Sequence, residues 1–260
     1  MPIVSEIPAE SGAGRTAELR GIRMYYELEG EGPPLLLLHG GAGDCRQFDH
    51  QRPDFARRHR LILPDSRAQG RSSDRPGPLT YHEMAEDVVA LLDRLGIARA
   101  DVMGWSDGGN IGIDLAIHHP DRIGHVVTFG SNFSPDGLEA GAFEWNRTAT
   151  AASFGPEMKV SWTARNPEPD HYEDAMNKIL EMWRTEPRFT ADELASIRAP
   201  SLICAGEHDV VRLDHTLALA AAIPTAESWI VPGASHGAML ERPDLVNPRV
   251  LAFLARDPLH

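Results

Sequence analysis

Only two cysteines, Cys45 and Cys204, occur in 260 residues, so no disulfide framework supports this chain. None is needed, because a chain of this length buries about three quarters of the surface its unfolded state exposes. One large domain with an insertion is expected. Cys204 lies in the apolar run Ser201-Leu202-Ile203-Cys204-Ala205 and reads as a small buried hydrophobe, while Cys45, near an expected helix start, reads as incidental. Positive charge is also scarce: 25 Lys and Arg against 38 Asp and Glu give a formal charge of −13. That balance disfavours nucleic acid or an anionic membrane as the main partner, and says little about a small neutral substrate. Long apolar runs are missing too. The start, Met1-Pro2-Ile3-Val4-Ser5-Glu6, lacks the basic and apolar parts of a secretory signal, and Leu35 to Leu38 is far too short to span a bilayer. A soluble, cytoplasmic protein is the expectation. There is no internal repeat, low-complexity tract or heptad array.

Residues 5–14 read as a loose arm. Thr16–Leu19 and Ile22–Leu28 read as two short strands joined at Arg20-Gly21, a hairpin at a sheet edge. Buried strands then alternate with helices: Pro34–Leu38, a helical segment Arg46–Arg58, Leu61–Pro64, a helix Tyr81–Leu95, Ala100–Gly104 and a helix from Asn110 to Ile117. Strands at Val126–Phe129, Ser201–Ala205 and Ser228–Val231, with helices near Leu213–Ala222 and Leu245–Leu254, complete the pattern. Continuous rather than alternating apolar strands mean that both sheet faces are covered, as in an α/β fold. The rhythm breaks between Asn132 and Ala199. Residues 133–197 therefore read as an inserted, mostly helical lid on a core of 16–132 and 198–258, with Met176, Ile179 and Trp183 on one helix face.

The chemistry centres on Gly104-Trp105-Ser106-Asp107-Gly108-Gly109, which follows an expected strand and precedes an expected helix. Strand, small-residue turn around Ser, and helix are the context of a nucleophile elbow. A serine needs a base to take its proton, and that base needs an acid to fix its tautomer. His236, in Pro232-Gly233-Ala234-Ser235-His236-Gly237, and Asp209, in Gly206-Glu207-His208-Asp209, each follow an expected strand end, where an open α/β sheet places its sites. The order Ser106, Asp209, His236 suits this architecture. Oxyanion donors would be backbone amides: Asp107 from the elbow, and Gly41 or Ala42 from the loop His39-Gly40-Gly41-Ala42-Gly43, Gly41 being slightly favoured.

Competing groups receive plainer readings. Asp65 is expected to brace its loop through Arg67 or backbone amides, Glu207 and His208 to support the Asp209 loop, and His39 to make a structural hydrogen bond. His118 and His119 are adjacent rather than four apart, and read as a solvated helix end before Pro120 rather than metal ligands. The glycine loop lacks the Gly-Lys-Ser/Thr ending of a phosphate loop and the full dinucleotide fingerprint. No metal or cofactor is called for.

Together the elbow, the His39-Gly40 loop, Pro64-Asp65-Ser66-Arg67, the Asp209 loop and Ser235-His236 resemble the α/β-hydrolase superfamily over about Gly21 to Leu254. The resemblance implies an eight-stranded, mostly parallel sheet, a lid inserted after the sixth strand, and a triad of Ser106, Asp209 and His236. The family loop Asp-x-Arg-Gly-x-Gly is here Asp65-Ser66-Arg67-Ala68-Gln69-Gly70, with Ala68 in place of the first Gly. Gly-Trp-Ser-Asp-Gly-Gly is similar to the elbow of the biphenyl-hydrolase-like enzymes, including those that cleave amino-acid esters such as valacyclovir. In that group the acid beside the nucleophile helps recognise an α-amino group, which would map to Asp107. Alternatively Asp107 caps the following helix.

The function expected is hydrolysis of a small carboxylic ester, such as an α-amino-acid ester, through an acyl-enzyme, with Trp145, Trp162 and Trp183 of the lid among the groups selecting substrate. Lactone, amide or carbon–carbon bond hydrolysis by the same triad is the near alternative, and a non-catalytic small-molecule-binding protein is the distant one.

Overall fold

The computed structural model describes residues 14–256, so the arm expected at residues 5–14 lies, but for Gly14, outside the described residues. Eight strands form one sheet: β1 (Arg15–Leu19), β2 (Ile22–Glu29), β3 (Pro34–Leu38), β4 (Arg60–Pro64), β5 (Ala100–Trp105), β6 (Ile123–Phe129), β7 (Ser201–His208) and β8 (Ala226–Ser235). Their spatial order is β1-β2-β4-β3-β5-β6-β7-β8. The β1–β2 hairpin and the β2–β4 pair are antiparallel, and every other pairing is parallel.

Unbroken apolar strands feed two cores at once, because successive side chains leave a strand on opposite faces. Leu36, Leu38, Val102 and Val126 pack under α2 (Tyr81–Arg94) and α3 (Asp107–His118). Leu35, Leu37, Met103 and Val127 pack on the other face, with Phe48, with Phe55 of α1 (Arg52–Phe55), and with Val246, Val250 and Phe253 of the C-terminal helix Pro243–Leu254. Helix α2 shows how the sequence sets such an element. Thr80 caps it by accepting a hydrogen bond from Glu83 N at 3.0 Å, and Met84, Val88, Leu91 and Leu92 form its buried stripe.

The segment Arg46–Arg58 is not the single helix expected. Asp44 caps a 3-10 turn at Cys45–Phe48 by accepting from Arg46 N, and Pro53 stands in the first turn of the separate, four-residue α1. Proline has no amide to continue a preceding helix and so suits a new start.

Between β6 and β7 runs a helical insertion: α4 (Ala140–Thr148), α5 (Pro156–Thr163), α6 (Tyr172–Thr185) and α7 (Ala191–Ser196). Its inward face includes Met176 and Ile179 of α6, both fully buried. Its root is pinned to the loop after β7: Leu138 bridges Val211, Glu139 N donates to Val210 O at 2.7 Å, and Arg212 N donates to Gly137 O at 2.9 Å. Helix α8 (Leu213–Ala222) precedes β8, and α9 (Ala238–Glu241) and α10 (Pro243–Leu254) close the chain's described part. No helix among the described residues is long and apolar enough to cross a membrane.

Candidate active site

Ser106 stands between β5 and α3 with φ 52° and ψ −115°, an unusual backbone state for a residue with a side chain. Such a conformation costs about 1–3 kcal/mol and persists only where its surroundings enforce it. Here they do: Ser106 N donates to Phe129 O at 2.7 Å, and its carbonyl accepts from Gly109 N at 2.9 Å. The turn is tight enough that a Cβ on Gly108 would sit 1.9 Å from Leu38 O.

The loops after β7 and β8 bring the other two members to it. His236 Nε2 lies 3.1 Å from Ser106 Oγ, and His236 Nδ1 lies 2.7 Å from Asp209 Oδ1. Asp209 also accepts from Val211 N at 3.0 Å and Gly206 N at 3.2 Å, which fixes its orientation. Burial of Asp209 favours its neutral form, but the facing His236 and these donors outweigh it and hold the carboxyl below its usual range. Burial likewise opposes the His236 cation; the Asp209 carboxylate overrides this and leaves the imidazole above its ordinary value. Gly233 N donates to Glu207 Oε2 at 2.8 Å, tying the Asp209 and His236 loops together.

Over this chain lies the His39–Gly43 loop. His39 Nε2 accepts from Ser66 N at 2.8 Å, so Nδ1 carries the proton donated to Gly40 O, also at 2.8 Å. The ring is thus held structurally at both nitrogens. The amides of Gly41, Ala42 and Asp107 have no acceptor among the described residues, the Asp107 amide being the first of α3.

Asp107 is buried, and its carboxylate is engaged by side chains rather than by the amides of the helix it opens. Its Oδ1 accepts from Tyr81 OH at 2.8 Å and from Trp183 Nε1 at 2.8 Å, with Oδ2 2.9 Å from the same indole nitrogen. Burial raises the Asp107 pKa despite these donors. Gly41 abuts this group so closely that a Cβ there would lie 2.3 Å from Asp107 Oδ2 and 2.4 Å from Trp183 Cζ2. Trp183, Trp145 and Phe154 form an aromatic trio with centroids 5.7–6.5 Å apart. Trp162 stands apart from the trio, buried edge-on against Tyr172 at 5.6 Å.

Asp65 braces its loop through backbone amides, accepting from Cys45 N and Arg71 N, each at 2.8 Å. Its arginine partner is Arg71 rather than Arg67, with Arg71 Nε at 2.9 Å. Arg67 is drawn away to a buried, two-pronged pair with Asp87 at 2.5 and 2.6 Å. Ala68 takes φ 60°, the left-handed state that the family's glycine would adopt freely. Three further residues were not singled out from sequence. Tyr81 holds Asp107; Trp105 Nε1 donates to His236 O at 2.7 Å; and Gly130 leaves room for the His236 ring. Tyr81 and Gly130 lie in no local motif, and Trp105, though inside the elbow motif, meets a partner 131 residues away.

A family model described as the alpha/beta hydrolase fold matches residues 33–190. "Putative carbamate hydrolase RutD" of Azorhizobium caulinodans is 32% identical over 250 residues, covering 88% of this chain and 94% of that protein. The 2-hydroxy-6-oxo-6-phenylhexa-2,4-dienoate hydrolase of Burkholderia cepacia is 27% identical, covering 91% and 93%. Among solved structures, the enol-lactonase from Burkholderia xenovorans LB400 superposes with a TM-score of 0.77 at 25% identity, over 93% of this chain and all of that one. With its sheet order, its insertion after the sixth strand and a family match over more than half its length, this protein belongs to the α/β-hydrolase family and is a hydrolase.

Proposed function

We propose that the protein is a serine hydrolase of small acyl compounds, working through an acyl-enzyme on lactone or carbamate-like substrates. The observation that carries this reading is the unbroken hydrogen-bonded chain Ser106–His236–Asp209 at the carboxyl ends of β5, β7 and β8. His236 Nε2 takes the Ser106 proton as Oγ attacks the carbonyl carbon, while Asp209 holds the other ring nitrogen and stabilises the imidazolium. The amides of Asp107 and of Gly41, or Ala42 beside it, receive the oxyanion. His236 then returns the proton to the leaving oxygen or nitrogen, and water repeats the attack on the acyl-Ser106. For a lactone the leaving alcohol stays on the acyl chain, so a single hydroxy acid is released.

Related proteins named for carbamate, dienoate and enol-lactone hydrolysis support a substrate drawn from this range rather than a simple alkyl ester. An α-amino-ester preference would need the Asp107 carboxylate to meet an ammonium group. That carboxylate already engages Tyr81 and Trp183, and Trp183 covers it. Trp183, Trp145 and Phe154 would instead present an apolar wall to the substrate.

The test is a turnover panel of lactones, carbamates, aryl esters and matched α-amino esters, with Ser106→Ala alongside. Lactones or carbamates should lead, and Ser106→Ala should lose about 10⁶-fold in kcat, as when a serine nucleophile is removed from its triad. A leading α-amino ester would overturn the substrate class; turnover indifferent to Ser106 would overturn the mechanism.

A further inference from the structure

Away from the Ser106 site, the first turn of α2 faces the last turn of α3. His82 Nδ1 lies 3.0 Å from Asp114 Oδ1, and His118 Nδ1 lies 3.2 Å from the same oxygen. Asp114 and His118 are four residues apart on one face of α3, while His82 comes from the neighbouring helix; the two rings stand edge to face at 4.6 Å. All three potential ligand atoms fall within 4.8 Å of one another. The Asp114 side chain is only 5% exposed, whereas His82 and His118 are 51% and 39% exposed, so an anchored carboxylate sits beneath two reachable imidazoles.

The spacing fits one ion. Metal–nitrogen and metal–oxygen bonds of about 2.0–2.2 Å in a tetrahedron place neighbouring ligand atoms about 3.3–3.6 Å apart, so the 3.0 and 3.2 Å between each imidazole nitrogen and the shared oxygen need open by only a few tenths of an ångström to admit the ion. Two imidazoles and one carboxylate suit a borderline transition cation, whereas Mg²⁺ and Ca²⁺ require mostly oxygen ligands. Local charge also favours a cation: Glu186 lies within electrostatic reach of Asp114 and His82, and Glu193 of His118.

We propose that His82, Asp114 and His118 form a Zn²⁺ site that staples α2 to α3, with a fourth position left to water. The site is separate from the hydrolytic machinery, yet His82 directly follows Tyr81, whose hydroxyl holds Asp107. Zinc here fixes the start of α2 relative to the helix that follows Ser106. The adjacent pair His118-His119 conceals the site in the sequence, because the third ligand lies on another helix and His119 turns instead to Glu86, at 2.5 Å.

The experiment is calorimetric titration of the full chain with zinc chloride, beside His82→Ala, His118→Ala and His236→Ala, with thermal denaturation of each at equal zinc. Wild type should take up one tight equivalent and melt higher with zinc. Each of the first two substitutions should weaken that equivalent by at least about tenfold, since even outer partners of metal ligands are worth 10–100-fold in affinity, and should abolish the thermal shift. His236→Ala should leave both unchanged. Three outcomes overturn the site: no tight uptake by wild type, uptake unchanged in both His82→Ala and His118→Ala, or uptake lost in His236→Ala alone.

Discussion

Gly130 offers a sharp test of how the sheet holds the His236 ring. It follows β6 with φ 63°, and a Cβ there would stand 2.6 Å from both Cε1 and Nδ1 of His236 and 3.3 Å from Asp209 Oδ2. Gly130→Ala therefore does two things. It places alanine in the left-handed region, costing about 1–2 kcal/mol, and it forces the imidazole back by about 0.8 Å to regain an ordinary 3.4 Å contact. His236 cannot move so far and keep both its 2.7 Å contact to Asp209 and its 3.1 Å contact to Ser106. Misplacement of a reacting group by about 1 Å costs about 100-fold in rate. Gly96→Ala separates the two effects, because Gly96 has φ 68° with nothing within 4 Å of its would-be Cβ. Steady-state kinetics and thermal melts of both variants should show similar losses of about 2–8 °C in Tm, from the shared strain and a Tm slope of about 2–4 °C per kcal/mol. Only Gly130→Ala should lose about 100-fold in kcat. A kcat for Gly130→Ala within about threefold of wild type would refute the reasoning.

In the proposed mechanism His236 acts as a base only when neutral, and burial, which opposes its cation, is outweighed by Asp209, which holds its pKa up, so kcat/KM should rise with pH through a limb above the ordinary histidine value of about 6.5. In Asp209→Asn that limb should move to lower pH while kcat falls by about 10⁴; a pH–rate profile of both proteins checks the direction. Trp183→Phe removes the indole donor from the buried Asp107 carboxylate, and urea denaturation should show a loss of about 1.5–3 kcal/mol. Since the folded Asp107 pKa is already raised by burial, its charged form opposes folding. Losing the indole donor raises that pKa further, so stability of Trp183→Phe relative to wild type should decline as pH rises through the folded Asp107 pKa, which lies above the ordinary aspartate value of about 3.9, and an unchanged difference between pH 4 and pH 8 would contradict this. Asp87→Ala strips the buried Arg67 of its two-pronged partner and should cost about 3–5 kcal/mol in the same denaturation assay.

Much of the architecture was readable because its signals are local. Each buried strand is a short apolar run ended by a turn residue, and the α2 stripe repeats at helical spacing after a Thr80 cap. Ser106, Asp209 and His236 could be singled out because each stands just beyond a recognisable strand end, where a parallel sheet gathers its loops. Readability failed where long-range partners decide. Arg46–Arg58 has helical composition, but the Asp44 cap and Pro53 split it. Arg67 neighbours Asp65 in sequence yet pairs with Asp87, leaving Asp65 to Arg71. Asp107 looked like either a helix cap or an amine receptor; which groups face its carboxylate depends on Tyr81 and on Trp183, 76 residues away.

The excursion from β6 to β7 spans residues 130–200, yet its root closes on the Asp209 loop through the Leu138–Val211 bridge. Closing a flexible loop costs only about 0.6 kcal/mol more for each doubling of its length. The closure cost alone is therefore nearly indifferent to how much chain fills that crossing, provided the bridge re-forms. Under the proposed mechanism, a new aromatic trio would alter what is admitted while Asp209 and His236 keep their geometry, the tie between the two being Trp183, through its hydrogen bonds to Asp107 beside Ser106.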